Sequence, residues 1–194
     1  MAYAGQILDN PVSGERIIFR ETAADTNGER LSFDLVLAPD GHVPGKHVHP
    51  EQVERFEVTG GSMKFTMGRK KIVAHAGEIV VVPAGTAHKF ENAGDGPATA
   101  RVEVTPALRM EDLFETAVAL AEAGRTNKKG LPKPLDLALF VKEFEREVVG
   151  AFPPVWVQKA SLAPLRWIAG KRALPAAAAA PRRASSATHP VLAS

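Results

Sequence analysis

The 194-residue chain contains no cysteine. That absence excludes disulfides, thiolate zinc sites, iron–sulfur clusters and cysteine nucleophiles together, so any metal must be held by nitrogen and oxygen. Long apolar runs are missing too. No stretch approaches the ~18 residues that a membrane span needs. The opening MAYAGQILDN lacks the basic start and apolar core of a secretory signal, which predicts a cytoplasmic protein. Acidic residues stop at Glu147, whereas six bases follow it (Lys159, Arg166, Lys171, Arg172, Arg182 and Arg183). Residues 1 to 147 hold 18 basic and 22 acidic residues, so the overall charge of +2 belongs to the C-terminal segment and no nucleic-acid partner is expected for the main domain.

What is present describes one folded domain with appendages. The hydrophobic share of 45% and charged share of 24% are ordinary for a globular protein of this length. From Arg16 to Thr105 short strands alternate with turn signals. Leu31, Phe33, Leu35 and Leu37 repeat with period 2 before Pro39-Asp40-Gly41; Met63, Phe65 and Met67 do so before Gly68. Ile79 to Val82 form an apolar run between Gly77 and Pro83, and Ala98 to Val104 close the series. Many short strands at this spacing predict a sandwich or barrel. Beyond Thr105 the period becomes 3.6. A first helix is expected with Thr105 as N-cap, Pro106 in its first turn, Leu113, Ala117 and Leu120 on its apolar face and Gly124 past its end. A second is expected from Pro134, with Leu135, Leu139, Phe140 and Phe144 on one stripe, stopped by Gly150 and Pro153. The expected division is a barrel over 1–105, a helical extension over 106–174 and a disordered Ala/Pro/Ser/Arg tail over 175–194.

Two segments carry chemistry. In GHVPGKHVHPEQVERFEVTGG, His47 and His49 are two apart, so on a strand both imidazoles face one side. Pro50 interrupts that strand, and Glu54, Phe56 and Val58 share the inward face of the return strand. Glu54 can therefore face the histidines. Glu57 has the opposite parity, and Glu51 competes only if the strand runs on past Pro50, which a proline opposes. In GEIVVVPAGTAHKFEN, His88 begins a strand with Phe90 on the same face. His42 and His75, in or near turns, read as solvated or hydrogen-bonded histidines.

Together these segments resemble both motifs of the cupin superfamily. The first, G-x5-H-x-H-x4-E-x6-G, is met by Gly41, His47, His49, Glu54 and Gly61; the second, G-x5-P-x-G-x2-H-x3-N, by Gly77, Pro83, Gly85, His88 and Asn92. The resemblance covers roughly residues 25 to 105. It implies an all-β, antiparallel double-stranded β-helix of the jelly-roll type, here with a C-terminal α-helical extension. It implies one divalent transition metal on His47, His49, Glu54 and His88, and a homodimer. Three neutral imidazoles and a carboxylate suit Fe(II) or Mn(II) first, with Ni(II), Cu(II) or Zn(II) as alternatives.

Strand parity also outlines a pocket, with Phe56, Val58 and Phe90 on the ligand faces and Phe33, Met63 and Phe65 from neighbouring strands. Such a bowl fits a small hydrophobic or aromatic molecule and not a sugar phosphate. The expected function is a metal-dependent dioxygenase acting on an aromatic, enolic or diketone compound, with Glu54 also serving as general base. The alternatives are a metal-dependent cyclase or isomerase and a non-catalytic binding module. Over residues 155–174, Trp156 and Trp167 lie among apolar and basic residues. This segment, interrupted by Pro164 and Gly170, is expected to pack on the barrel or a second subunit, with weak membrane contact as the rival reading.

Overall fold

The computed structural model describes residues 2–169 and 173–175. Ten strands come first: β1 (Ile7–Asp9), β2 (Glu15–Glu21), β3 (Leu31–Leu37), β4 (His47–Val48), β5 (Val53–Gly60), β6 (Ser62–Met67), β7 (Lys70–His75), β8 (Ile79–Val82), β9 (His88–Asn92) and β10 (Ala98–Thr105). Helices α1 (Met110–Glu122) and α2 (Pro134–Glu143), strand β11 (Val149–Gly150) and helix α3 (Val155–Ala169) follow. The strands form two antiparallel sheets, ordered β1-β2-β3-β10-β5-β8 and β11-β4-β9-β6-β7. This is the jelly-roll architecture expected from the sequence.

Period-2 patterning builds the core. On β3, Leu31, Phe33, Leu35 and Leu37 are buried, as are Glu54, Phe56 and Val58 on β5. From the facing sheet, Phe65 and Phe90 meet Phe56 with ring centroids 5.1 and 5.2 Å away. Each such apolar side chain removed from water is worth about 1.5–3 kcal/mol, whereas burial of the Glu54 carboxylate is a cost. The run Ile79–Val82 also alternates. Val80 and Val82 are buried, whereas Ile79 and Val81 are 52% and 49% exposed, because β8 is the sheet edge and its outer face is uncovered.

The glycines and asparagine of the two motifs have visible jobs. Gly41 packs so closely that a Cβ would lie 2.8 Å from the Ala38 carbonyl oxygen. Asn92 fastens the end of β9 to this turn: its backbone N–H donates to the Gly41 carbonyl at 2.8 Å, and Nδ2 donates to the carbonyls of Leu37, Ala38 and Gly96. Gly61 has φ +67° and would place a Cβ 2.7 Å from the Pro97 carbonyl oxygen.

The helical region differs from the expectation in three places. Thr105 does not cap α1: it is still paired with Val53 in the sheet, and the helix starts after Arg109, whose N–H donates to Glu147 Oε1 at 3.1 Å. A carboxylate here suits the positive end of the helix. The far end of α1 is as expected. Gly124 at φ +63° and Arg125 donate back to Ala121 and Leu120, a left-handed stop that glycine accepts without strain.

Helix α2 opens at Pro134 but ends at Glu143, with Phe144 as its C-cap, rather than at Gly150. Residues 144–148 turn, and Val149–Gly150 pair with Val48 and His47 as an added strand, so the extension enters the barrel's second sheet. Helix α3 runs through Pro164 instead of breaking there. It lies against α2, and Gln158 donates to the carbonyls of Gly150 and Pro153. Trp156 and Trp167 point outward, 74% and 86% exposed. Among the described residues no helix is long and apolar enough to cross a membrane. The tail expectation, apart from Pro175, lies outside the described residues.

Gly61→Ala should lower stability by about 1–3 kcal/mol, since alanine is strained at this φ and meets backbone there. Urea unfolding checks it; an unchanged midpoint would contradict the packing described for the β5–β6 turn.

Candidate metal centre

Two sheets supply the site. His47 on β4 stands directly opposite His88 on β9, and His49 follows β4 by one residue before Pro50 turns the chain. From the other sheet, β5 directs Glu54 inward at the level of Val104 and Val82. The imidazole centroids are 4.3 to 5.3 Å apart, and one ligand atom from each of His47, His49, Glu54 and His88 lies within 4.8 Å of all the others. Side-chain shifts of a few tenths of an ångström would bring such donors to the ~2.1 Å that one ion requires.

The orientation of each ring is fixed from behind. His47 Nδ1 bonds the Gly45 carbonyl at 3.2 Å, His49 Nδ1 the Glu147 carbonyl at 2.5 Å and His88 Nδ1 the Thr86 carbonyl at 3.0 Å. A carbonyl can only accept, so each Nδ1 is the protonated nitrogen and each Nε2 presents a lone pair. Carbonyl-backed imidazoles of this kind are the usual supports of metal ligands. His49 Nε2, His88 Nε2 and Glu54 Oε2 are buried without a well-aligned hydrogen-bond partner, although Glu54 Oε2 is 2.7 Å from His88 Nε2 and 3.4 Å from His49 Nε2. Buried polar atoms are rarely left so. A divalent cation satisfies all of them at once, and this donor set fits one.

The electrostatics agree. Burial pushes the His47 imidazole down to about 3, helped by His49 and His88, so it stays neutral and able to ligate. Burial alone would push the Glu54 carboxyl up, but His49 and His88 together outweigh it and hold it well below the usual range. For His49 burial again opposes the charge, and Glu54 overturns it, raising the imidazole, so a proton shared with Glu54 competes with a metal ion for the His49 Nε2 lone pair.

The rival carboxylate is elsewhere. Glu51 is exposed and forms a two-pronged ion pair with Arg146, at 3.0 and 2.7 Å. Glu57 sits on the outward face beside Arg55. His42 bonds the Asp40 carbonyl at 3.0 Å, and His75 is exposed at the end of β7.

A cavity of about 470 Å³ opens on His47, His49 and Glu54. Phe33, Phe56 and Phe90 line it. Val58, Met63 and Phe65 do not: they are fully buried behind that wall, where strand parity points them inward but the neighbouring sheet has already closed over them. The sequence also left out contributors from the extension, among them Phe114 of α1, Phe140 of α2 and Leu162 of α3. Periodicity marks an apolar helix face without saying which cavity it covers. Glu147 was missed as well; its carbonyl aligns His49 across 98 residues of sequence, a contact that no local spacing announces.

Residues 33–104 match the family model described as "Cupin domain". This segment is a cupin domain. Among curated proteins none matches the chain. The cupin domain is similar in shape to solved structures that include a sugar phosphate isomerase of the cupin superfamily from Silicibacter pomeroyi, at 25% identity and TM-score 0.43, covering 48% of this chain and 60% of that one. A predicted oxalate decarboxylase from Thermotoga maritima is 21% identical with TM-score 0.46, over 53% and 92% of the two chains. KdgF from Halomonas sp. is 11% identical with TM-score 0.46, over 55% and 94%.

Glu54→Gln should weaken metal retention by at least about tenfold, whereas Glu51→Gln should leave it unchanged. Elemental analysis after dialysis checks both, and the reverse ranking would remove Glu54 from the ligand set. Retention should also fall as pH is lowered, because the imidazoles and the carboxylate must be free of protons to bind metal.

Proposed function

We propose that this cupin protein is a metal-dependent enzyme, a dioxygenase acting on an aromatic, enolic or diketone compound. The observation that carries the reading is the meeting of four convergent donors with a largely apolar cavity of about 470 Å³. That size suits a small organic molecule, and the lining is mainly apolar with the candidate ligands His47, His49 and Glu54 exposed to it. Bound to these donors, Fe(II) or Mn(II) supplies Lewis acidity toward substrate oxygens and a redox partner for dioxygen.

The chain's own groups do the rest. Carbonyl-anchored Nδ1 atoms hold the three Nε2 lone pairs in place without reorganisation during a reaction. Glu54 is ionised and has Oε2 among the histidines; the base role we assign it, taking a proton from an enol, would fall to its other oxygen once Oε2 is engaged with the ligand cluster. Phe33, with Phe114 edge-on at 5.2 Å, and Phe56 against Phe90 form walls that exclude water and suit a planar or apolar body. A phosphorylated substrate is disfavoured. Lys46 is the one cationic side chain among the lining residues described, and its ammonium already donates to the Gly68 carbonyl.

The test is to measure the metal content of the purified protein, then oxygen uptake with aromatic and diketone compounds after loading Fe(II), Mn(II), Ni(II) or Cu(II). Uptake that is metal-dependent and lost in His88→Ala is the expected result. Substrate turnover without oxygen uptake would assign the site to cyclase or isomerase chemistry. No turnover with any metal would leave a binding module.

A further inference from the structure

A carboxyl far from the metal ligands breaks the apolar wall of the cavity. Glu15 opens β2, and its side chain lines the same cavity as His47, His49 and Glu54. Strand register gives the separation. Glu15 pairs with Leu37 and Leu37 with Ala98, whereas Glu54 pairs with Val104. Ala98 and Val104 are six residues apart on β10, roughly 20 Å at the rise of a strand. Glu15 and the metal ligands therefore occupy opposite ends of the cavity, with Ile17, Leu35 and Phe33 along the wall between them.

The local contacts of Glu15 do not account for a charged group. Oε2 accepts a hydrogen bond from the Ser13 hydroxyl at 2.7 Å, two residues away. Among the described residues no Lys or Arg pairs with it. Burial pushes the carboxyl up to about 7, against the opposing pull of Ser13 and of His42. A neutral amide would accept from Ser13 equally well without that penalty. With one local hydrogen bond and a place in the cavity lining, the Glu15 carboxyl has acceptor capacity to spare for a partner in the cavity.

We propose that Glu15 is the distal recognition group of the site: it accepts a hydrogen bond from a hydroxyl or amine at the end of the substrate remote from the metal ligands. The substrate is then an elongated apolar molecule with oxygens at one end and a hydrogen-bond donor at the other. This rests on the reading that the cavity seats a substrate with its oxygens toward the metal ligands.

Protein loaded with Zn(II), which is redox-inert, can be titrated calorimetrically with decanoate and dodecanoate and with their ω-hydroxy derivatives. The carboxylate serves as the metal-directed end of each probe. The hydroxylated probe of fitting length should bind about tenfold more tightly than its plain counterpart. Glu15→Leu should reverse that order, and Glu15→Gln, which still accepts a hydrogen bond, should keep it. Glu15→Gln should also gain stability relative to the native protein as pH rises from 4.5 to about 7. Across that range the unfolded chain releases the Glu15 proton while the folded chain still holds it, so the stability given by the part-buried neutral acid is lost. Probes that bind without preference for the hydroxyl, or with equal preference in Glu15→Leu, would overturn the role of Glu15 alone. If no probe binds while Zn(II) is retained, the cavity does not seat a metal-directed substrate and both readings fall.

Discussion

Three imidazole N–H groups, each spent on a backbone carbonyl, are the constraint on which this molecule turns. Because Gly45, Glu147 and Thr86 take the Nδ1 protons, three lone pairs and a carboxylate are left aimed at one another inside a buried site. Electron-rich atoms in that arrangement repel unless a cation or shared protons come between them. The fold supplies the rigidity to hold them there: β4 and β9 are locked opposite each other, and β5 on the other sheet meets them with Glu54. The turn after β8 is tied into the same region through the Gly85 N–H on the His49 carbonyl.

The cavity follows from where this cluster sits. It opens toward His47, His49 and Glu54, while His88 is fully buried and is not part of the lining, so a molecule approaches from one side. Apolar walls leave few polar partners for that molecule between the metal ligands and Glu15. Under the proposed reading, discrimination among substrates would depend on the two ends and on the shape between them.

Much of this was legible in the sequence because it depends on local geometry. Two-residue spacing puts His47 and His49 on one face, and parity after Pro50 separates Glu54 from Glu51; in the structure Glu51 is drawn off to Arg146. Gly41, Gly61 and Asn92 were readable only as motif positions; in the structure each answers a steric or hydrogen-bonding demand of its own turn. Contacts made across long stretches of chain were not readable. Thr105 looked like a helix cap, yet pairing with Val53 kept it in the sheet. Val58, Met63 and Phe65 had the parity of pocket residues, but parity separates inside from outside and cannot separate a cavity wall from the packed layer behind it. Glu15, at the start of a strand and beside a glycine turn, carried no motif at all.

The added strand β11 bears on when the site comes into being. A ribosome releases His47, His49, Glu54 and His88 well before Glu147, whose carbonyl sets the tilt of the His49 ring. Until the last third of the chain has folded back along β4, the nascent barrel offers an incomplete set of oriented donors. Full orientation of the donors thus waits on the extension, and an ion bound before it docks would meet a looser and less selective site than the finished protein presents.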